Sequence, residues 1–469
     1  MEPSRFGGGG ETSVHPAIAC AVLLAGVLIL FLPRKYLVLP FFSAVFLIPM
    51  DQVLVVGPLH FQMLRVVVLF GWVRLLAIKF STKIEFLNGG MKGIDKAVAL
   101  LGIFTAIDFV FLWQEWGALI NQMGALYMMF GIYFLLRFMI RDEEDVDRAL
   151  RALVYIAAVI ALVMVIEQST GRNPYVLFGG THQAMRESLE AREDRFRAMA
   201  SFAHPILAGS FGATSLPLFL GLWWKGKNRA GALVGAIAAT VITFASVSST
   251  PLLAYGAGIF ALFLWPLRKR MRIIRWGIVI SLLCLHLSMK APVWALIGRF
   301  DVVGGSSGYH RFYLVDRFIR HFGDWWLLGV KNNGQWGWDM WDLANQYVAV
   351  GETSGLLPLI FFISIIVCGF QYLGNARKAC EGNKRKEFFL WTLGAALFAN
   401  IVAFFGISYF DQTMVAWYAF LAMISAVAND AMRSLELEQA GDLKDGKSPL
   451  LPQIASCYSS NSLASSRFP

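Results

Sequence analysis

Charge is what this chain has least of. Only 15% of its 469 residues are Asp, Glu, Lys or Arg, against 57% hydrophobic residues. With a mean hydropathy of +0.58, no water-soluble core could hide that much apolar surface, so a polytopic membrane protein is indicated. Cysteine is scarce too. Cys20, Cys284, Cys368, Cys380 and Cys457 are scattered, no two at metal-ligand spacing, which argues against a disulfide framework or a zinc site. The chain carries no Walker loop, HExxH, GxSxG or EF-hand loop, so the chemistries tied to those motifs are not expected. No internal repeat announces an inverted-repeat transporter. Ionisable residues inside apolar runs are few, namely Arg65, Arg74, Asp108 and His286, whereas proton-coupled carriers thread such groups through the membrane midplane.

What the chain does have is apolar runs long enough for about 30 Å of hydrocarbon. They fall near 18–33, 36–50, 62–78, 97–113, 117–136, 152–166, 205–224, 230–247, 251–267, 274–289, 354–373, 389–409 and 413–431. They predict an all-α polytopic protein with about twelve or thirteen transmembrane helices within residues 1–434. The count turns on the short run 36–50 and on 62–78, which holds Arg65 and Arg74. MEPSRFGGGGETS lacks an Ala-x-Ala-like site after the first run, so that run is expected to be retained.

Lys and Arg gather in KGKNR (225–229), RKRMRIIR (268–275) and GNARKACEGNKRK (374–386), which the positive-inside rule places in the cytoplasm. Such a collar facing anionic lipid accounts for the net charge of +10 with no nucleic acid partner. On the same side, RDEEDVDRALR (141–151) reads as a charged helix start with a solvated acidic face. The Ser-rich stretch 435–469 reads as a disordered cytoplasmic tail.

Four polar pieces then share the opposite face: 167–204, the turn SVSSTP (246–251), the block 291–346 and the link YFDQ (409–412). A block rich in Trp, Arg and Asp resists insertion into hydrocarbon and is where chemistry is to be sought. MRESLEAREDRFRAM suits an amphipathic interfacial helix. HRFYLVDRFIRHF places Arg317, Arg320, His321 and Asp324 on one face and Phe312, Val315, Phe318 and Ile319 near the other, as in a helix lying on the membrane surface.

Arg311, Arg317 and Arg320, with Arg192, Arg195 and Arg197, are candidates to converge on a phosphate, which a guanidinium fork matches bidentately. Contacts to lipid headgroups or to Asp partners are the alternative. Trp325, Trp326, Trp336, Trp338 and Trp341, interleaved with Asn332, Asn333, Gln335 and Asn345, suit stacking on sugar rings. An interfacial aromatic belt explains the indoles equally well. Candidate bases are Asp339, Asp342, Glu352, His310, His321, His204 and Asp411, each taken singly reading more readily as a structural hydrogen-bonding group.

RFRAMASFAHPILAGSFGATSLPLFL (195–220), with Arg197, Phe202, His204 and Pro205, resembles the R-A-x-G-x-F-x-H-P lead-in to a central span in the O-antigen ligase and O-antigen polymerase family. SVSSTPLLAYGAG (246–258) is similar to that family's Ser-rich hairpin. Arg311, then LLGVKNNG (327–334) and DLANQYVAVGETSGLLPLI (342–360), resemble its R…P-x-x-G-x-G…H-N-x-Y-L…E-x-G-L-x-G signature. The resemblance covers order, spacing and membrane side from about 195 to 375, while the earlier spans share hydropathy only. Three positions depart. Ala344 stands where the family has His before Asn, Thr250 and Pro251 replace an Arg of the hairpin, and Glu352 falls one residue early while Gly355 keeps its place.

The resemblance implies a GT-C-like membrane fold with a large periplasmic loop, 291–346, carrying short helices. It implies inverting glycosyl transfer at the periplasmic face of the bacterial inner membrane, without metal or cofactor. The donor would be a glycan on undecaprenyl diphosphate, and the acceptor a lipid A–core glycan or a growing polysaccharide. Membrane lipids complete the expected partners. Arg311, Arg197 and Arg317, with His204, Asn345 and Glu352, would bind substrate. With Ala344 in the family His position, Asp342 is the first choice of base, with Asp339 and His310 behind it. A ligase is the leading expectation. A polymerase of the same family, a transferase to protein, or a flippase of lipid-linked sugars are the alternatives.

Overall fold

The computed structural model describes residues 12–49, 52–56, 59–81, 86–87, 89–179, 196–226, 228–299 and 308–444. The chain is a helical bundle. In order come α1 (Pro16–Phe31), α2 (Val38–Leu47), α3 (Met63–Ser81), α4 (Gly93–Trp113), α5 (Trp116–Met139), α6 (Glu143–Thr170), α7 (Pro205–Lys225), α8 (Arg229–Ala245), α9 (Ser249–Phe263) and α10 (Met271–Ser288). Then follow α11 (Gly308–Arg320), α12 (Phe322–Trp325), α13 (Gln346–Ser354), α14 (Leu356–Ala379), α15 (Lys384–Phe404) and α16 (Asp411–Lys444).

Eight helical stretches among the described residues are long and apolar enough to cross a membrane: α4 to α7, 265–288, α14, α15 and α16. The chain is therefore a multi-pass, all-α membrane protein in architecture. Helices α1, α8 and α9 are apolar but shorter. The run at 36–50 condenses to the ten residues of α2, about 15 Å of helix and half a bilayer. The run at 62–78 becomes α3, which carries Arg65, Arg74 and Lys79. Before it lies an unexpected antiparallel hairpin, Val53–Val56 paired with Leu59–Gln62.

Helix ends follow local chemistry. Asp142 caps α6, accepting from Asp145 N, and Glu143, Glu144 and Asp145 fill a first turn whose dipole favours negative charge. His204 accepts from Ile206 N, with Pro205 at the first position of α7. Helix α7 is the central strut, buried almost all round and packed by α6, α8, α9 and α15. By contrast α10 has no buried residue.

The two ends of the bundle are built differently. At the end carrying the basic loops, Lys225 pairs with Glu143 and Asp147 at 2.6 Å each, Arg268 with Glu387 at 3.1 Å, and Arg34 with Asp145 at 2.6 Å. The acidic segment 141–151 is thus not a solvated face. Asp145 is buried against Arg34 and Arg148, and Asp147 against Lys225. Deeper, Asp95 and Arg137 form a fully buried pair at 2.8 Å, and Tyr133 donates to Asp95 at 2.6 Å. That pair lies at the margins of its apolar runs, where periodicity gives no signal. The final helix runs to Lys444, ten residues into the stretch expected to be disordered, and 445–469 lie outside the described residues.

Candidate functional site at the polar end of the bundle

The polar block folds around a small core of its own, Leu314, Phe318, Trp325, Trp336, Met340, Val348 and Leu359. Phe318 and Trp325 stack at 3.9 Å, and the Trp325 indole donates to Phe318 O at 2.8 Å. Trp336 stacks on His321 and donates to Asp324 at 3.0 Å. A buried indole N–H needs such a partner. Two of the five tryptophans are therefore core residues, 2% exposed each, whereas Trp338 and Trp341 are 77% and 79% exposed.

This core turns α11 differently from the expected surface helix. Its buried positions include His310, Arg311, Leu314 and Phe318, spaced for one helical face. Of the predicted apolar face only Phe318 is buried, and Ile319 is exposed. The helix packs against α13 and residues 293–299, and that contact carries a histidine and an arginine inward.

Around those two residues lie two carboxylate candidates, Asp339 and Asp342. His310 Nε2 donates to the Asp339 carbonyl at 2.8 Å and lies 4.0 Å from its carboxylate. The shorter backbone contact fixes the ring and leaves Nδ1 buried without a described partner. Asp339 holds the left-handed conformation, φ 58°, which Asp tolerates better than most residues. Burial raises the Asp342 carboxyl above its ordinary value, and repulsion from Asp339 adds to this. The charges of His310 and Arg311 pull it down. His310, Arg311, Asp339 and Asp342 thus form one electrostatic group.

A second group centres on Arg197. It is buried and donates to Ser248 Oγ at 2.9 Å. Its loop is held by Glu167, whose carboxylate accepts from Met199 N and Ala200 N at 2.9 and 2.8 Å, and by Ala198 N bonded to Ala245 O. Gln412 donates to Ser201 O, Thr250 to Gly406 O, Asn345 to Phe405 O, and Tyr409 N donates to Gln346. Residues 167, 197–201, 246–251, 345–346 and 405–412 are therefore knitted into one seam, in keeping with the expected common face of the segments that hold them. At Gly209 a Cβ would run into Ser246, so only glycine lets the 246–248 turn seat against α7.

The remaining candidates fall to structural positions. Asn345 caps α13 through Tyr347 N and Val348 N at 3.0 and 3.1 Å. His204 caps α7. Arg317 lies over the Tyr313 ring at 4.7 Å and faces away from the Arg311 group by about 120° around the helix. Glu352 accepts from Asn333 Nδ2 at 2.7 Å with its other oxygen buried and unpartnered. Burial pushes its carboxyl up to about 7. Asn333 also donates to Met340 O at 2.5 Å, so the Glu352–Asn333 bond staples the 333–340 loop to α13. Arg192, Arg195 and the interfacial helix expected near 185–199 fall wholly or largely outside the described residues. Glu167 was not singled out by sequence, because it belongs to no spaced motif; Ser248 and Asn333 lay within quoted segments, but their pairing with Arg197 and Glu352 was not legible there.

No protein-family model matches this chain, and no curated protein sequence matches it either. Its function has to be argued from its own geometry.

Proposed function

We propose that this chain is a membrane-embedded glycosyltransferase that moves a glycan from undecaprenyl diphosphate to an acceptor hydroxyl at the outer, periplasmic face of a bacterial inner membrane. The observation that carries the reading is the Arg311, His310, Asp339 and Asp342 group, where two buried side chains, a guanidinium and an imidazole, meet the carboxylates of the 339–342 loop.

The chemistry asks for those two parts. As the bond from the sugar to the diphosphate oxygen breaks, negative charge grows on the leaving group, and a guanidinium held in a water-poor site stabilises it more than water does. Arg311 takes that role, and Arg197, held by Ser248, is the second candidate cation. The acceptor oxygen attacks the opposite face of the sugar carbon with inversion, and its proton passes to Asp342. A carboxyl raised by burial holds a proton more firmly than a free carboxylate, which suits a base. His310, fixed by the Asp339 carbonyl, and Asp339 stand behind Asp342 as the other candidate bases. The family His expected before Asn345 has no counterpart at Ala344, which is 8% exposed.

A lipid-facing groove of about 400 Å³ between α7, α8 and α9, lined by Leu220, Ile237, Thr240, Val241 and Tyr255, supports a donor with a long apolar tail. The turn joining α8 to α9 holds Ser248, the partner of Arg197.

The test is reconstitution of purified protein in vesicles with a polyprenyl-diphosphate glycan and a hydroxyl acceptor. A new glycosidic bond with release of polyprenyl diphosphate is expected. Movement of the lipid across the vesicle with no new bond would mark a flippase and end this reading. Restored glycan laddering in a polymerase-deficient strain would identify a polymerase instead of a ligase.

A further inference from the structure

We propose that Trp338 and Trp341 form a stacking platform for pyranose rings beside the Asp339 and Asp342 carboxylates. The identity of the ligand rests on the glycan-transfer reading, but the platform is argued from the loop itself. Other highly exposed apolar residues, such as Phe263 at 77% and Trp276 at 62%, sit on apolar helices, as expected of side chains facing lipid. Trp338 and Trp341 lie instead on an irregular segment between residues 337 and 342.

That segment is built to present them. Met340, between the two indoles, is 1% exposed and anchored in the small core. Asn333 holds its carbonyl and His310 holds that of Asp339. Gly337 takes φ 154°, and a Cβ there would collide with the Tyr313 hydroxyl. The backbone is pinned on the inside while positions 338 and 341 face out. Trp338 also meets His310 edge-on, rings 90° apart at 6.4 Å. Nearby, Tyr309 is 71% exposed and parallel to Tyr313, 12° between planes.

Rigid indoles order at small entropic cost because only two side-chain torsions are fixed. Their faces suit the axial C–H groups of a sugar, and the flanking carboxylates accept from its hydroxyls. A membrane-interface anchor would not place one carboxylate between its indoles and a second directly after them, because that end must then enter the headgroup layer with its charge.

Both the donor glycan and the acceptor glycan present such rings, and kinetics separates them. Trp338→Ala and Trp341→Ala are each expected to raise KM by about tenfold for one of the two substrates, the loss falling on KM more than on kcat. Trp338→Phe should recover most of it. The substrate whose KM moves is the one on the platform. A direct arm uses full-length protein in nanodiscs, with tryptophan fluorescence followed during titration with deacylated lipopolysaccharide core or free repeat oligosaccharide. Quenching by either glycan that is lost in the double alanine variant supports the platform even where the wild type forms no glycosidic bond, in which case the transferase reading alone fails. Unchanged KM for both substrates in an active enzyme overturns the platform and leaves the transferase. So does glycan-independent fluorescence coupled to weaker retention in the bilayer, which would mark the indoles as membrane anchors.

Discussion

The two ends of the bundle solve the problem of burying polar groups in opposite ways. At the basic end, cations from one loop meet carboxylates from another across 2.6 to 3.1 Å, as Lys225 does with Glu143 and Arg268 with Glu387. At the polar end the work is done by side chains bonded to backbone, as with Glu167, Gln412 and Asn345. Backbone strain divides the same way. All five described non-glycine residues with positive φ, Gln114, Ala200, Val247, Asp339 and Asp411, belong to the polar end, whereas the described left-handed positions of the basic end are Gly89, Gly90, Gly226 and Gly382. A non-glycine residue held there costs about 1–2 kcal/mol, and Val247, being β-branched, is the most strained. Strain of that kind persists where the surroundings over-determine it, which is typical of sites kept for a task. The comparison teaches that one end is organised for stability and the other for position.

The largest test of that contrast is at the basic end. Removing one partner of the buried Asp95–Arg137 pair with Arg137→Ala should cost about 3–5 kcal/mol, because the other charge is left unpaired in an apolar interior. Thermal unfolding in detergent should show it as a loss of folded protein, with any surviving fraction retaining its turnover per molecule. The converse holds at the polar end. Arg311→Ala should lower the transfer rate by about 10²–10³ while helical content and membrane insertion persist, and Arg311→Lys should recover only part of it, since an ammonium cannot form the fork. Wild-type turnover in Arg311→Ala would remove that residue from the diphosphate role.

A third test uses pH. The Glu352 carboxyl rises from 4.5 unfolded to about 7 folded, so the neutral form is favoured in the native state. Its contribution to stability is fully present below about 4.5 and is lost as pH rises through 7, a difference of about 3 kcal/mol between the limits. Wild-type melting temperature should therefore fall across that window relative to Glu352→Gln, whose profile should be flatter. Parallel profiles would separate Glu352 from the pH response. The smallest effect concerns strain alone. Gln114 is exposed, with φ 55°, at the end of α4, so Gln114→Gly should stabilise by about 1 kcal/mol. No gain in chemical denaturation would mean that the left-handed turn there is not strained.

Much of this was legible before any tertiary structure. Low charge and long apolar runs require a multi-pass helical protein because an unpaired peptide group is too costly in hydrocarbon. The clustering of Lys and Arg in three loops gave those loops a common end, and the ion pairs of Lys225 and Lys386 with Glu143, and of Arg268 and Lys269 with Glu387 and Glu381, bear that out. Arg311, His310, Asp339 and Asp342 stood out as polar residues in a membrane chain. What local pattern misjudged was burial. Asp145 and Asp147 looked solvated because a sequence shows a charge and not the partner 78 positions away. The face of α11 was misassigned because its burial is decided by Trp325, Met340 and Val348, which arrive from other segments.

Sequence alone thus determined the solvent this protein lives in and the residues able to carry chemistry, since hydropathy and ionisation belong to single side chains. Only the tertiary structure decided which of those residues meet. The seating of His310 against Asp339, the sorting of five tryptophans into core and surface, and the pairing of Arg197 with Ser248 all depend on distances between residues far apart in the chain. Packing sets those distances, because each buried polar group must find a partner wherever the fold can supply one.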